Sequence, residues 1–310
     1  MKSKSSIALI IFACFTLVFA VSGCRMRSRS QRTEVKSSET ETAATKAAEP
    51  QAELSINATE DSDDLPAKEE IRRKFQLPPN SRIYIHSING KLTVETADTD
   101  AAEVLIVRSA QKSEDLENYR KVKIEQQENR LFIGIENDRK SLFSAIGKIP
   151  EGRQRVVLKI PRKVDFEANG INGNVAIAEI LGYLELHGIT GELKVARVTG
   201  NTDIDGVNGN VDVSFAPLKG GDIEINGING NIDLRFEGEV NANLESWGIN
   251  GRVNTEFPNA ENLPEKSERG RLEARIGSGG TKIRIGGING NVNFLKAGKA
   301  PAPPAKVASK

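Results

Sequence analysis

The chain has 310 residues, a formal net charge of +1, 5% aromatic residues and two cysteines. So weak a charge gives no global support for nucleic-acid binding, and no basic cluster is interleaved with aromatics as a stacking platform. One cysteine, Cys14, lies in an apolar leader, which leaves Cys24 alone and excludes a disulfide framework or a Cys/His zinc cluster.

Met1–Gly23 reads as a secretory signal: Lys2 and Lys4, then the apolar run Ile7–Ala20, then Val21-Ser22-Gly23-Cys24. The run is too short for a comfortable membrane span. Small residues ahead of Cys24 match the bacterial lipobox, so Cys24 is the expected lipid-attachment residue. Several acyl chains on it would anchor the protein stably, whereas one would not. Arg25 follows Cys24; by similarity to lipoproteins of diderm bacteria, the absence of Asp there implies the outer membrane.

Residues 24–67 are rich in Ser, Thr, Ala and Glu, a composition that cannot bury enough apolar surface to fold. Four arginines (Arg25, Arg27, Arg29, Arg32) come first, and acids from Glu39 to Asp64 follow. As a flexible tether of about 43 residues it would reach roughly 35–40 Å. Residues 68–165 form a β-rich N-terminal region, with alternation at Ile83/Ile85, Leu92/Val94, Val104/Ile106, Val122/Ile124, Leu131/Ile133/Ile135 and Val156/Leu158/Ile160. Ser113–Tyr119 suits a short helix or a loop. Such a region can cap an open stack of repeats.

Repeats dominate residues 166–296. Gly-Ile-Asn-Gly stands complete at 170–173, 227–230, 248–251 and 287–290, with near-copies at 87–90, 188–191 and 206–209. The second glycines fall at 173, 191, 209, 230 and 251, and a half-step appears at Thr199-Gly200-Asn201. Residues alternate on both sides of each motif, but the parity switches across it: Ile223 and Ile225 are followed by Ile228. An odd step between inward residues requires a bend or bulge, which glycine accommodates. The pattern predicts strand, glycine corner, strand, with 18–21 residues per coil.

The expected fold is therefore an all-β, single-chain β-solenoid. Asn-Gly is also a strong hairpin signal, so an antiparallel meander is the rival. Fixed spacing favours the solenoid, because it stacks like on like at about 4.8 Å. Ile171, Ile189, Val207, Ile228, Ile249 and Ile288 would form one column. Asn172, Thr190, Asn208, Asn229, Asn250 and Asn289 would form another, with amide hydrogen bonds along it. Glu261–Arg271 reads as a charged loop before the last coils, and residues 297–310 as a disordered Ala/Pro/Lys tail.

Chemistry is sparse. Gly277–Lys282 resembles a phosphate loop only in composition, and its place between Ile276 and Ile283 suits a strand-to-strand turn. His86 and His187 occupy a slot that elsewhere holds Asn169, Asp205, Asn226, Trp247 and Gly286, which argues for a corner or solvent-facing position and against catalysis. Outward carboxylates at Asp203, Asp205, Asp212, Glu224 and Asp233 can cluster for Ca²⁺ binding or acid/base work. The plainer reading is a charged, solubilising face, interrupted by Lys194, Arg235, Arg252, Lys282 and Arg284. Trp247, if exposed, suits a sugar or a partner; corner packing suits it equally. No catalytic, metal or cofactor-binding residue is assigned.

The unit Gly-Ile-Asn-Gly-Asn-[Val/Ile]-x-[Val/Leu], together with Gln154–Pro161 and the Gly-Ser-Gly-Gly segment within Leu272–Ile285, resembles the bacterial putative-adhesin domain family over roughly residues 70–295. That resemblance implies a repeat-built β-solenoid in a cell-envelope setting, with no enzymatic residues to carry over. The function expected is a non-enzymatic envelope lipoprotein presenting a structural or binding surface. Its partners would be the membrane, through the anchor, and an envelope protein or a glycan, with no nucleic acid and no small-molecule substrate. The alternatives are a polysaccharide-active β-helix enzyme and an envelope-stress sensor acting through a partner.

Overall fold

The computed structural model describes residues 64–119, 121–135, 152–258, 260–261 and 272–297. The signal, Cys24, most of the tether, most of the Glu261–Arg271 loop and the C-terminal tail beyond Ala297 lie outside them. The first strands are β1 (Ala67–Gln76), β2 (Ser81–His86), β3 (Leu92–Ala97) and β4 (Ala101–Ala110). A short helix α1 (Ser113–Asn118), β5 (Val122–Gln127), β6 (Arg130–Ile135) and β7 (Gly152–Pro161) follow. The repeats give β8 (Val164–Asn172), β9 (Val175–Ile180), β10 (Leu184–Thr190), β11 (Leu193–Val198), β12 (Thr202–Asn208), β13 (Val211–Phe215), β14 (Ile223–Asn226) and β15 (Ile232–Phe236). The last are β16 (Ala242–Ile249), β17 (Val253–Thr255), β18 (Ala260–Glu261), β19 (Leu272–Ile276), β20 (Thr281–Ile288) and β21 (Val292–Lys296).

These strands form two large sheets, so the all-β expectation holds. The first sheet runs β1-β4-β7-β3-β9-β11-β13-β15-β21-β17, and the second β18-β19-β16-β20-β14-β12-β10-β8-β2-β6-β5. The two strands flanking each Asn-Gly lie in different sheets, and each pairs in parallel with its counterpart from another repeat. Asn-Gly therefore closes no hairpin here. The near-copy at 87–90 joins the same ladders, since β2 pairs with β8 and β3 with β9. Among the described residues antiparallel strands occur only toward the two ends of the sheets: β1, β4 and β5 at one, β18 and β19 at the other.

The two glycines of each motif do different work, which corrects the single glycine corner expected from parity. The first glycine is a bulge within or at the end of a second-sheet strand. Gly227 sits at φ +64°, and the other first glycines of the complete and near-complete motifs lie between +60° and +70°. In the β10–β12 ladder the register passes from His187↔Asp205 to Ile189↔Val207 across that bulge, returning the aliphatic side chain to the core. The second glycine is the corner proper. A Cβ at Gly230 would stand 2.2 Å from the Gly209 carbonyl oxygen, so successive corners stack backbone on backbone and admit no side chain.

Inward rows from both sheets meet in one core, with Ile171, Ile189, Val207, Ile228, Ile288 and Ile249 all buried. Phe215, Phe236 and Phe294 stack on the neighbouring strands β13, β15 and β21 with ring centroids 5.2 and 6.2 Å apart. Burying each such side chain stabilises by about 1.5–3 kcal/mol. Hydrogen bonds along the asparagine column link Asn208, Asn229, Asn289 and Asn250 at 2.9–3.0 Å, and separately Asn89 and Asn172. A second column uses its side-chain oxygens differently: Asn174, Asn210, Asn231 and Asn291 each accept from the backbone N–H of the next coil.

The columns do not follow chain order throughout. β20 and β21 insert between β14/β15 and β16/β17, so the 287–290 motif separates the 227–230 and 248–251 motifs. Residues 277–280 make this possible by crossing the start of β16: Ala242 pairs with Ile276 on one side and Thr281 on the other. Asn241 Oδ1 accepts from Ser278 N and Ser278 Oγ at 2.8 and 3.0 Å. The loop with phosphate-loop composition is thus a strand crossing whose Ser278 N–H is already spent. At the N-terminal end, Asp64, read as tether, is part of the folded unit: it accepts from Arg155 Nη2 at 3.0 Å.

Candidate functional site: the outer face of the second sheet

Strand alternation puts a row of side chains outward at every second position, and parallel register carries each row from coil to coil. On the first sheet and its margin, acids are matched to arginines. Arg162 reaches Asp98 at 3.3 Å and Glu179 at 2.9 Å. Arg197 bonds Glu179 and grips Glu237 through two nitrogens, at 2.9 and 3.1 Å. Arg235 takes Asp212 at 2.9 Å and Asp233 at 3.0 Å. The charge-assisted hydrogen bond to Asp212 raises the Arg235 pKa.

The second sheet differs. Glu167, Glu185, Asp203 and Glu224 stand side by side in consecutive strands β8, β10, β12 and β14. Only the last adjoins an arginine within the row, Arg284, which bonds it at 2.7 and 3.2 Å and, ahead of Asn226, holds its carboxyl below the usual range. Burial pushes the Glu167 carboxyl up, with Glu185 adding to it, against the pull of Arg82, His187 and His86. Burial also raises the Asp203 carboxyl; His187 opposes this, while Glu224, Glu185 and Asp205 add to it. Tyr183, beside this row, is pushed up to about 12 by burial and by the charges of Glu185 and Asp203.

Two residues along the strands runs a second outward row: His86, Asn169, His187, Asp205, Asn226, Gly286 and Trp247. His187 Nε2 lies 2.9 Å from Glu185 Oε1, and its Nδ1 lies 4.0 Å from Asp205 Oδ2. His187 is thus a polar bridge between the two rows. Gly286 is the exception in its slot, because it is buried: a Cβ there would meet the Trp247 indole at 2.2 Å. Trp247 lies against that glycine and is 37% exposed, the one exposed large hydrophobic side chain among the described residues.

Of the five carboxylates singled out in the sequence, Asp203, Asp205 and Glu224 come together on this face. Asp212 and Asp233 lie on the opposite sheet, neutralised by Arg235. Glu167 and Glu185 were missed, although each precedes the next acid of the row by one 18-residue repeat. The row can attract protons or cations. Its members stand side by side on a sheet face, whereas glycoside hydrolysis places two carboxyls on either side of one bond. Among the described residues no group of three or more His, Cys, Asp or Glu is arranged to hold a metal ion. On the same face a hollow of about 530 Å³ is lined by Asn243, Glu245, Glu273, Arg275, Lys282 and Arg284.

No known family model matches the chain. No curated protein matches it either. Among solved structures it is similar to a "putative cell adhesion protein" from Clostridium sporogenes, with 13% identity and a TM-score of 0.41 over 74% of this chain and 100% of that one. A "putative adhesin" from Bacteroides fragilis aligns with 12% identity and a TM-score of 0.30, over 74% of this chain and 99% of that one. Another from Parabacteroides merdae aligns with 13% identity and a TM-score of 0.24, over 74% and 93%.

Proposed function

We propose that this protein is a non-enzymatic, adhesin-like lipoprotein of the cell envelope, in which a β-solenoid presents the outer face of its second sheet to a partner. Parallel, in-register pairing of strands 18 or 21 residues apart supports the solenoid reading. The leader and lipobox ending at Cys24 support anchoring by lipid in the outer membrane of a diderm bacterium, with residues 24–63 giving the domain reach. The partner is an envelope protein or a glycan.

One observation carries the choice of face: Glu167, Glu185 and Asp203 repeat one charge sign in adjacent strands with no arginine between them, whereas Glu179, Asp212 and Asp233 on the first sheet are matched to arginines. Holding like charges at strand spacing works against stability, and a surface kept in that state suits contact with something outside the chain.

The test is a photo-cross-linking amino acid placed at Glu185, and in a second variant at Lys194 on the opposite sheet, whose side chain is 67% exposed. Adducts confined to the Glu185 variant are expected; the same adducts from both sites, or none from either, would sink the choice of face. Cys24→Ala should move the protein from the membrane to the soluble fraction. Unchanged fractionation removes the anchor from the proposal.

A further inference from the structure

Trp247 is placed unlike any other outward side chain in its row. In six of the seven coils that slot holds His86, Asn169, His187, Asp205, Asn226 or Gly286. Its neighbour Gly286 leaves no room for a Cβ: the atoms at 2.2–2.5 Å from that position are Cε2, Nε1 and Cζ2 of the indole. The ring therefore packs against the backbone of β20 and leaves the rest of its surface to solvent. Beyond Gly286 in the same row comes Asn226, whose Nδ2 donates to Glu224 Oε1 at 3.1 Å, while Arg284 holds the other Glu224 oxygen at 2.7 Å. An exposed aromatic surface thus adjoins three planar polar groups already held in place by one another.

The hollow of about 530 Å³ opens on the same strands, with Glu245 of its lining two residues before Trp247 and Arg284 two before Gly286. Its size falls within the range of small-ligand sites. Its lining supplies carboxylate acceptors, cationic donors and an amide, the mixed set that vicinal hydroxyls satisfy by donating and accepting together. An aromatic surface beside such groups suits a molecule with an apolar face and a polar rim. A pyranose ring is one: its axial C–H bonds carry partial positive charge and meet the negative face of the indole, while its hydroxyls lie around the edge.

We propose that Trp247, Asn226 and the Arg284-lined hollow form a subsite for a glycan of pyranose rings with equatorial substituents. An equatorially substituted ring lies flat on an open aromatic surface, whereas an axial hydroxyl would hold the ring off it. The proposal rests on the second sheet's outer face being the contact surface, and it names the chemistry that surface takes.

The chain contains one tryptophan, so its fluorescence reports this position alone. The intact protein in detergent is titrated with chitohexaose and, separately, cellohexaose, and tryptophan emission is followed. A saturable quench or blue shift with either sugar is expected. Calorimetry should show Trp247→Ala and Gly286→Ala each weakening binding by about tenfold or more, while Lys194→Ala binds as wild type. Thermal melts establish that the variants are folded. The second variant keeps the indole and only displaces it, so its loss speaks for the platform geometry. No saturable change with either sugar at millimolar concentration overturns the subsite. Cross-linking at Glu185 that persists alongside that negative result leaves the contact face standing and removes the glycan. Equal affinity for sugar in wild type and both platform variants would also overturn the proposal.

Discussion

The two outer faces are built by the same repeat and obey the same stacking, yet they handle charge in opposite ways. On the first sheet, Asp212 and Asp233 share Arg235, and Glu179 is linked through Arg197 to Glu237. Asp212 and Asp233 are themselves neighbours across the strands, so what distinguishes that face is an arginine supplied to its acids from an adjoining row. On the second sheet, one position is acidic in four neighbouring strands: Glu167, Glu185, Asp203 and Glu224. A stacked repeat amplifies whatever occupies a slot, because the same side chain returns at each strand spacing of about 4.8 Å. Acids matched to arginines add to the scaffold, and a like-charged column without them works against it.

The largest expected effect belongs to the element both faces share. Gly230→Val places a branched side chain where a single Cβ already stands 2.2 Å from the Gly209 carbonyl oxygen. That contact is backbone, so relief requires moving two corners at once. A loss of at least about 2–3 kcal/mol is expected, measured by urea unfolding. The loss should appear equally to probes on either sheet. Near-wild-type stability would mean the corners are not the rigid frame that holds the two faces in register.

Arg197→Ala addresses the first face alone. It takes the arginine from Glu237 and leaves Glu179 with Arg162 alone, and should cost about 1 kcal/mol at low salt. At 1 M salt, where the Debye length is about 3 Å, most of that difference should disappear. Arg197→Lys keeps the charge but loses the two-pronged grip on Glu237, so its loss should be intermediate. If Arg197→Ala melts as wild type at low salt, the paired column contributes nothing and the contrast between faces loses one of its sides.

Much of this arrangement was legible in the chain, and what was not has a definite cause. The parity step from Ile225 to Ile228 reveals the bulge, and the columns of Ile and Asn reveal which residues stack. Spacing also places Glu185 one repeat and Glu167 two repeats before Asp203, a signal available but read only from Asp203 onward. Coil order is another matter. The motifs at 248–251 and 287–290 are identical, so no local pattern says which of them adjoins 227–230. That choice is made by the 277–280 crossing over β16 and by the long-range fit of β20. Hence the packing of Trp247 on Gly286, 39 residues apart, could not be read from the sequence: the two residues become neighbours only through that insertion.

The smallest effect is the sharpest test, because the comparison predicts its sign. Glu167 and Asp203 hold protons above their ordinary values of 4.5 and 3.8, chiefly through burial. Between those values and the higher native ones, the folded chain binds more protons than the unfolded chain. Their contribution to stability therefore falls as pH rises through that window, and it recovers on acidification from neutrality toward it. Glu224 runs the other way: lowered by Arg284, it contributes above its ordinary 4.5 and loses that contribution as pH falls through its native value. Asp203→Asn removes one strained charge. Discounted for solvent screening, it should raise the melting temperature at pH 7 by about 1–2 °C and flatten the acid-side dependence. Asp212→Asn, nine residues along in the same coil but on the first sheet, strips a partner from Arg235 and should lower it by a similar amount. Opposite signs for two aspartate-to-asparagine changes in one coil are what the two faces require, and a fall in both would break the distinction between them.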